Sequence, residues 1–227
     1  MQKTLILWDI DGTLLHSTGA GMKALQVALS DVFGVSGTFE GISFAGRTDP
    51  LIIRDIFSRY GIEFNPATLA RYLDRYIAVL PRVLGESNAR VLPGVESILR
   101  RAGAHPQVVQ GLLTGNVRRG AQTKLGYHGL WEHFPVGAFA DDSEIRNELG
   151  PHALRRARDH WGVDFPAERV WIVGDTPHDI ACGRAFGARV IAVATGSSRA
   201  HELAAHGPDA VLESLEDNDA FWKAIGA

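Results

Sequence analysis

Leu5-Ile6-Leu7-Trp8-Asp9-Ile10-Asp11-Gly12-Thr13 is the stretch from which the rest of the chain can be read. Four consecutive apolar residues suit a strand buried on both faces of a sheet, and the run then breaks into two carboxylates around one Ile. In open parallel sheets ligands bind beyond the carboxyl ends of the strands. An Asp-x-Asp placed there offers oxygen donors to a hard cation such as magnesium. The same nine residues also fit an acidic turn of the kind Asp and Gly make, so the other strands must decide between the two.

Downstream of Thr13 the periodicity changes. Met22, Leu25, Leu29, Val32 and Phe33 recur at helical steps, which predicts an amphipathic helix over residues 22–33 with Met22 in its apolar stripe. Thr48 or Asp49 ahead of Pro50 caps a second helix, and Asn65-Pro66 starts a third. No buried strand is expected from residue 16 to 86. Beyond that segment, strands and helices alternate. Apolar runs at residues 108–113, 170–173 and 189–194, with a shorter one at 136–140, are separated by helical patterns. This predicts an α/β chain: a parallel, Rossmann-like sheet with helices on both faces, residues 1–15 and 87–227, carrying an inserted α-helical cap, residues 16–86.

Composition narrows the function classes. At 227 residues, 45% of them hydrophobic and 22% charged, the chain is long enough for a globular enzyme with a sizeable core. A net charge of -3 with only isolated Arg pairs argues against nucleic acid as a partner. No apolar run approaches the length of a membrane helix, and Met-Gln-Lys leads straight into the first strand without room for a signal peptide. The single cysteine, Cys182, cannot form an internal disulfide, and its apolar neighbours predict a buried thiol. A cytoplasmic protein, monomer or homodimer, is expected.

Three of the apolar strands end in groups useful to phosphoryl chemistry: Asp9 with Asp11, Thr114, and Asp175 with Asp179. In one parallel sheet such ends converge on one edge. With these motifs the chain resembles the haloacid dehalogenase-like hydrolases, in particular the phosphoglycolate phosphatase-like group that carries a helical cap. Asp9 to Thr13 matches the first motif, Leu113 to Asn116 the second and Gly174 to Asp179 the fourth, in order and in strand context.

The resemblance implies a magnesium-dependent phosphatase acting on small phosphorylated metabolites through an aspartyl-phosphate. Asp9 would be the nucleophile and Asp11 the general acid and base. Asp9, the Asp11 backbone carbonyl and Asp175 would hold the metal, with Asp179 orienting waters or a basic partner. Thr114, aided by Gly115 and Asn116, would bind the transferring phosphoryl group. The third motif departs from the family pattern, because no Lys lies between residues 125 and 222. Aligning Pro151 with the proline of that motif puts Arg146 in the Lys position, with Asp141 or Asp142 as support. In the cap, Arg47 is the expected reader of a substrate carboxylate or second phosphate, and His16 a leaving-group contact at the hinge.

Rival readings remain at this level. A phosphomutase on the same scaffold is disfavoured because residues 48–84 contain no Lys, and a dehalogenase needs neither Asp11 nor a metal. A non-catalytic binding protein would be expected to have lost Asp9 or Asp11. His201, Glu202 and His206 miss the spacing of a zinc helix by one residue, which leaves a solvated helix face.

Overall fold

In the computed structural model, which describes residues 3–226, the opening apolar run becomes strand β1 (Thr4–Trp8), buried at every position. Its side chains alternate: Ile6 and Trp8 enter one apolar cluster, Leu5 and Leu7 another on the opposite face. A strand covered on both sides has no reason to alternate in polarity, which is why it reads as a continuous hydrophobic run. Strands β4 (Val108–Leu113) and β6 (Val170–Gly174) flank β1, both parallel to it, with Trp8 level with Leu112 and Val173. With β5 (Gly137–Ala138), β7 (Arg189–Val193) and β8 (Ala210–Leu212) they form a six-stranded parallel sheet in the order β5-β4-β1-β6-β7-β8. The three strands whose ends carry polar groups are therefore immediate neighbours, with β1 between the other two.

Helices α4 (Val95–Ala104), α5 (Arg118–Tyr127) and α9 (Asn218–Ile225) cover one face of the sheet. Trp8 stacks on Phe221 there, ring centroids 5.4 Å apart. Helices α6 (Leu149–Trp161), α7 (Pro177–Ala185) and α8 (Ala200–Ala205) cover the other. Each large side chain sealed this way contributes about 1.5–3 kcal/mol, so the central strands are the rigid floor on which the site stands. Cys182 lies in the second cluster, and its thiol donates to the Arg146 carbonyl at 3.1 Å. Burial pushes that thiol up to about 12. The folded protein is accordingly expected to resist iodoacetamide at about pH 8 and to label only after denaturation, as mass spectrometry would read; rapid native labelling would contradict the packing.

The inserted segment is helical, with α1 (Ala20–Phe33), α2 (Asp49–Arg59) and α3 (Pro66–Glu86) sharing an apolar cluster of their own. Local chemistry sets these ends. The Asn65 side chain accepts the Thr68 amide at 2.9 Å to cap α3, Pro66 occupies its first turn, and Gly34 closes α1 with φ 68°. Thr48 precedes α2 as expected, yet its hydroxyl caps nothing; it donates to the Glu144 carbonyl at 2.7 Å, tying the cap to the core.

Among the described residues the segment from 17 to 86 holds helices and loops without a strand; a short pair flanks it, β2 (Leu15–His16) antiparallel to β3 (Arg90–Val91), where the chain leaves and re-enters the core. Two residues are too few to establish any periodicity. One expectation needs correction. Met22 is not part of the α1 stripe; Ala20, Ala24, Leu25, Ala28 and Leu29 are buried, while Met22 is 41% exposed. The tighter alanine face packs against α3, and Met22 is turned to the cleft instead.

Candidate active site

At the carboxyl end of β1 the chain places Asp9 and Asp11 two residues apart, the spacing that lets both face one cavity. Gly12 follows with φ 86°, and a side chain there would come within 2.3 Å of an Asp175 oxygen, so this tight turn admits only glycine. The end of β4 contributes Thr114, and the end of β6 contributes Asp175. Asp9, Asp11 and Asp175, with Gly115 and Asn116 just past Thr114, floor a cleft of about 500 Å³, roofed by α1, α2 and the loop before α2.

Asp9 is 5% exposed. One of its oxygens meets the Arg146 guanidinium at 3.0 Å, and the Thr114 hydroxyl hydrogen-bonds its carboxylate. Arg146, itself buried, also pairs with Asp179 and donates to the Gly46 carbonyl at 3.2 Å. Asp179 is fully engaged: one oxygen accepts from Arg146, and the other accepts the Thr176 amide at 3.0 Å and hydroxyl at 2.7 Å, capping α7. Asp179 is thus an ion partner of Arg146. Asp141 and Asp142 do not support Arg146. Asp142 grips Arg156 through two contacts of 2.6 Å, and Asp141 accepts the Arg118 amide at the start of α5.

Asp9, Asp175 and Asp179 offer oxygens all within 4.8 Å of one another. Burial, opposed by Arg146 and reinforced by Asp179 and Asp11, pushes the Asp9 carboxyl up to about 6. Burial, reinforced by Asp179 and Asp9 and opposed by Arg146, holds the Asp175 carboxyl well above the usual carboxylate range. One guanidinium does not neutralise three buried carboxylates, and this surplus is the electrostatic mark of a cation site. Asp175 keeps an oxygen for such a role, since the Thr13 hydroxyl donates to the other one at 3.3 Å.

The second acid has a different surrounding. Asp11 accepts from Lys124 at 2.6 Å, from the Asn116 amide at 2.9 Å, and from the Ser17 hydroxyl. Burial works to raise its carboxyl, but the Lys124 ammonium and these donors hold it below the usual range. Lys124 is the functional residue that sequence reasoning missed. It lies on α5, one position outside the interval searched for a Lys, and its side chain is 6% exposed. Its ammonium also donates to the Asn116 side-chain oxygen at 2.6 Å, so the Thr-Gly-Asn loop and Asp11 are bound to one buried cation.

Gly115 and Asn116 lie under the roof. A side chain on Gly115 would collide with the Arg47 carbonyl at 2.2 Å, and the Asp49 amide donates to the Gly115 carbonyl at 2.7 Å. The Asp49 carboxylate in turn accepts the Val117 amide at 2.8 Å, so an acid of α2 caps the N-terminus of α5. Arg47 reaches the cleft wall, yet its guanidinium is held by Asp55 at 2.6 Å and by the Ser43 and Leu51 carbonyls. His16 lines the cleft from β2, with its Nδ1 buried and unpartnered. His201 and His206 are exposed around α8, away from this site.

Comparison with known proteins bears on this arrangement. A family model described as HAD-hydrolase-like matches residues 146–218. The plasmid-encoded phosphoglycolate phosphatase of Cupriavidus necator is 32% identical over 222 residues, 94% of this chain and 90% of that protein. The chain belongs to the haloacid dehalogenase-like hydrolases. Within that family it is a phosphatase: the phosphoglycolate phosphatase of Rhodospirillum rubrum is also similar, 28% identical over 86% of this chain and 80% of its own length. The fold agrees. CbbY from Rhodobacter sphaeroides, solved in complex with phosphate, superposes with a TM-score of 0.74 at 19% identity, covering 95% of this chain and 96% of that one. In this haloacid dehalogenase-like hydrolase the helical segment α1–α3 follows β1 and the short β2, ahead of the rest of the sheet. Among the described residues no helix is long and apolar enough to cross a membrane.

Proposed function

We propose that this phosphatase hydrolyses small phosphate monoesters by transfer to Asp9 and then to water. The observation that carries the reading is Asp9 itself: a buried carboxylate at the end of the central strand, held by Arg146 and Thr114 beside a second, differently tuned acid. An Asp9 oxygen attacks phosphorus as the bond to the leaving oxygen breaks. Asp11 gives its proton to that oxygen, and its carboxylate then takes a proton from the water that cleaves the Asp9–phosphorus bond, releasing inorganic phosphate. Lys124 favours the ionised Asp11 that the second step needs, and the charge of an entering phosphate dianion raises the carboxyl for the first. Thr114 and Arg146 steady the phosphoryl oxygens against the nucleophile. Residues 16–86 act as the cap that excludes water until the leaving group has gone.

The acidic surplus around Asp175 fits a hard divalent cation, and magnesium is our assignment. Asp9, Asp175 and the Asp11 backbone carbonyl would hold it; Asp179, with both oxygens occupied, would not. When bound, magnesium supplies the positive charge that lets a phosphate dianion approach these carboxylates.

The test is release of inorganic phosphate from acetyl phosphate. Activity is expected with magnesium, falling about 100-fold or more in excess chelator and returning when the ion is restored. Magnesium should also raise the melting temperature, a rise that Asp175→Asn removes. Undiminished turnover in chelator would sink the metal assignment.

A further inference from the structure

The roof of the cleft limits what can follow the phosphate. Met22, Leu25, Phe44, Ile52 and Tyr76 line it from the helical segment, and Met22 stands 41% exposed at that wall. An apolar side chain left open inside a concave site, while its helix buries alanines elsewhere, is aimed at a ligand.

The charged groups point the same way. Among the described residues, each Lys or Arg lining the cleft already has a carboxylate: Arg146 has Asp9 and Asp179, Lys124 has Asp11, and Arg47 has Asp55. Asp49 adds a further acid to the lining. A carboxylate on the substrate would lose its water there and gain no uncommitted Lys or Arg, which is a steep cost for a buried charge. The cleft, at about 500 Å³, is also far roomier than a two-carbon acid requires.

From the apolar roof and the paired cations we infer that this phosphatase is built for monoesters whose leaving group is an uncharged, apolar alcohol of several carbons. This rests on the phosphatase reading above and narrows it away from phosphoglycolate, the substrate named for its relatives. The phosphate sits between Asp9, Gly115 and Arg146, and the alkyl portion lies along Met22, Phe44 and Ile52. Selectivity comes from apolar area removed from water, and it accumulates with each carbon until the roof is filled.

A homologous series of n-alkyl phosphates, ethyl to hexyl, tests this with the magnesium-loaded protein, because leaving-group reactivity hardly changes along it. The expected result is a rise in kcat/KM of about fourfold for each added methylene. 2-Phosphoglycolate is expected to fall about tenfold or more below butyl phosphate. Met22→Lys should flatten the series and raise kcat/KM for phosphoglycolate, whereas Met22→Leu should keep the slope. A flat series, or a preference for phosphoglycolate, in a protein that does turn over ethyl phosphate overturns the inference and leaves the phosphatase reading standing. If acetyl phosphate and every ester stay intact, the phosphatase reading itself fails and this inference falls with it.

Discussion

Asp9→Asn is expected to lower phosphate release by roughly 10⁴-fold or more while the protein keeps its fold, the scale on which loss of a nucleophile acts. The amide matches the carboxylate in size and can accept from Thr114 and Arg146, but it has no anionic oxygen to bond phosphorus. The folded state should not suffer. Burial already pushes the Asp9 carboxyl up to about 6, so the wild-type charge is held against its solvation preference, and a neutral amide escapes that penalty. Circular dichroism should be unchanged and the melting temperature equal to or above that of the wild type. Wild-type turnover in this variant would refute the mechanism outright, since Asp11, tethered to Lys124 and Asn116, is held on separate partners.

The second large effect falls on Arg146. Arg146→Ala should cost about 10²–10³-fold in kcat, the range seen when one preorganised donor to developing charge is lost. The guanidinium spans Asp9, Asp179 and the Gly46 carbonyl, so its removal leaves two carboxylates facing each other with nothing between them. Arg146→Lys keeps the charge but has no planar fork, and an ammonium cannot hold the nucleophile, Asp179 and the roof at once. A loss of about tenfold is expected for that variant, an effect that sits between wild type and Ala. Equal losses for Ala and Lys would mean that the charge at this position is irrelevant to the reaction. Comparing kcat with KM locates the defect: a kcat loss marks stabilisation of the transferring group, a KM loss mere attraction of substrate.

Much of this site could be read before any coordinates because its parts lie at strand ends. β1, β4 and β6 are buried on both faces, so they stand out as apolar runs, and a parallel sheet brings their carboxyl ends to one edge whatever the intervening loops do. Arg146 needed alignment of its neighbouring proline with a family motif, for a lone Arg before a helix has no periodic signature. Lys124 escaped for a physical reason. It sits in a helix of mostly polar residues, and only the approach of Asp11, 113 positions earlier, makes it a buried partner rather than a surface cation. Met22 misled in the opposite direction: helical spacing groups it with Leu25 and Leu29, but spacing cannot tell a face that meets another helix from one that meets a cavity. Arg47 was legible as a loop cation and not as half of an ion pair, because Asp55 comes within reach only once α2 has formed.

The bond between the Asp49 carboxylate and the first turn of α5 makes the lid and the phosphate loop a single hinge-and-latch. Residues 115 and 117 each give one main-chain group to Asp49, so any separation of α2 from the loop that follows Thr114 would strip two partners from that loop. Water would have to take both places, and would have to be expelled again before the two segments could rejoin. One carboxylate-bearing residue thus ties the order of the loop beneath Asp11 to the position of the roof above it.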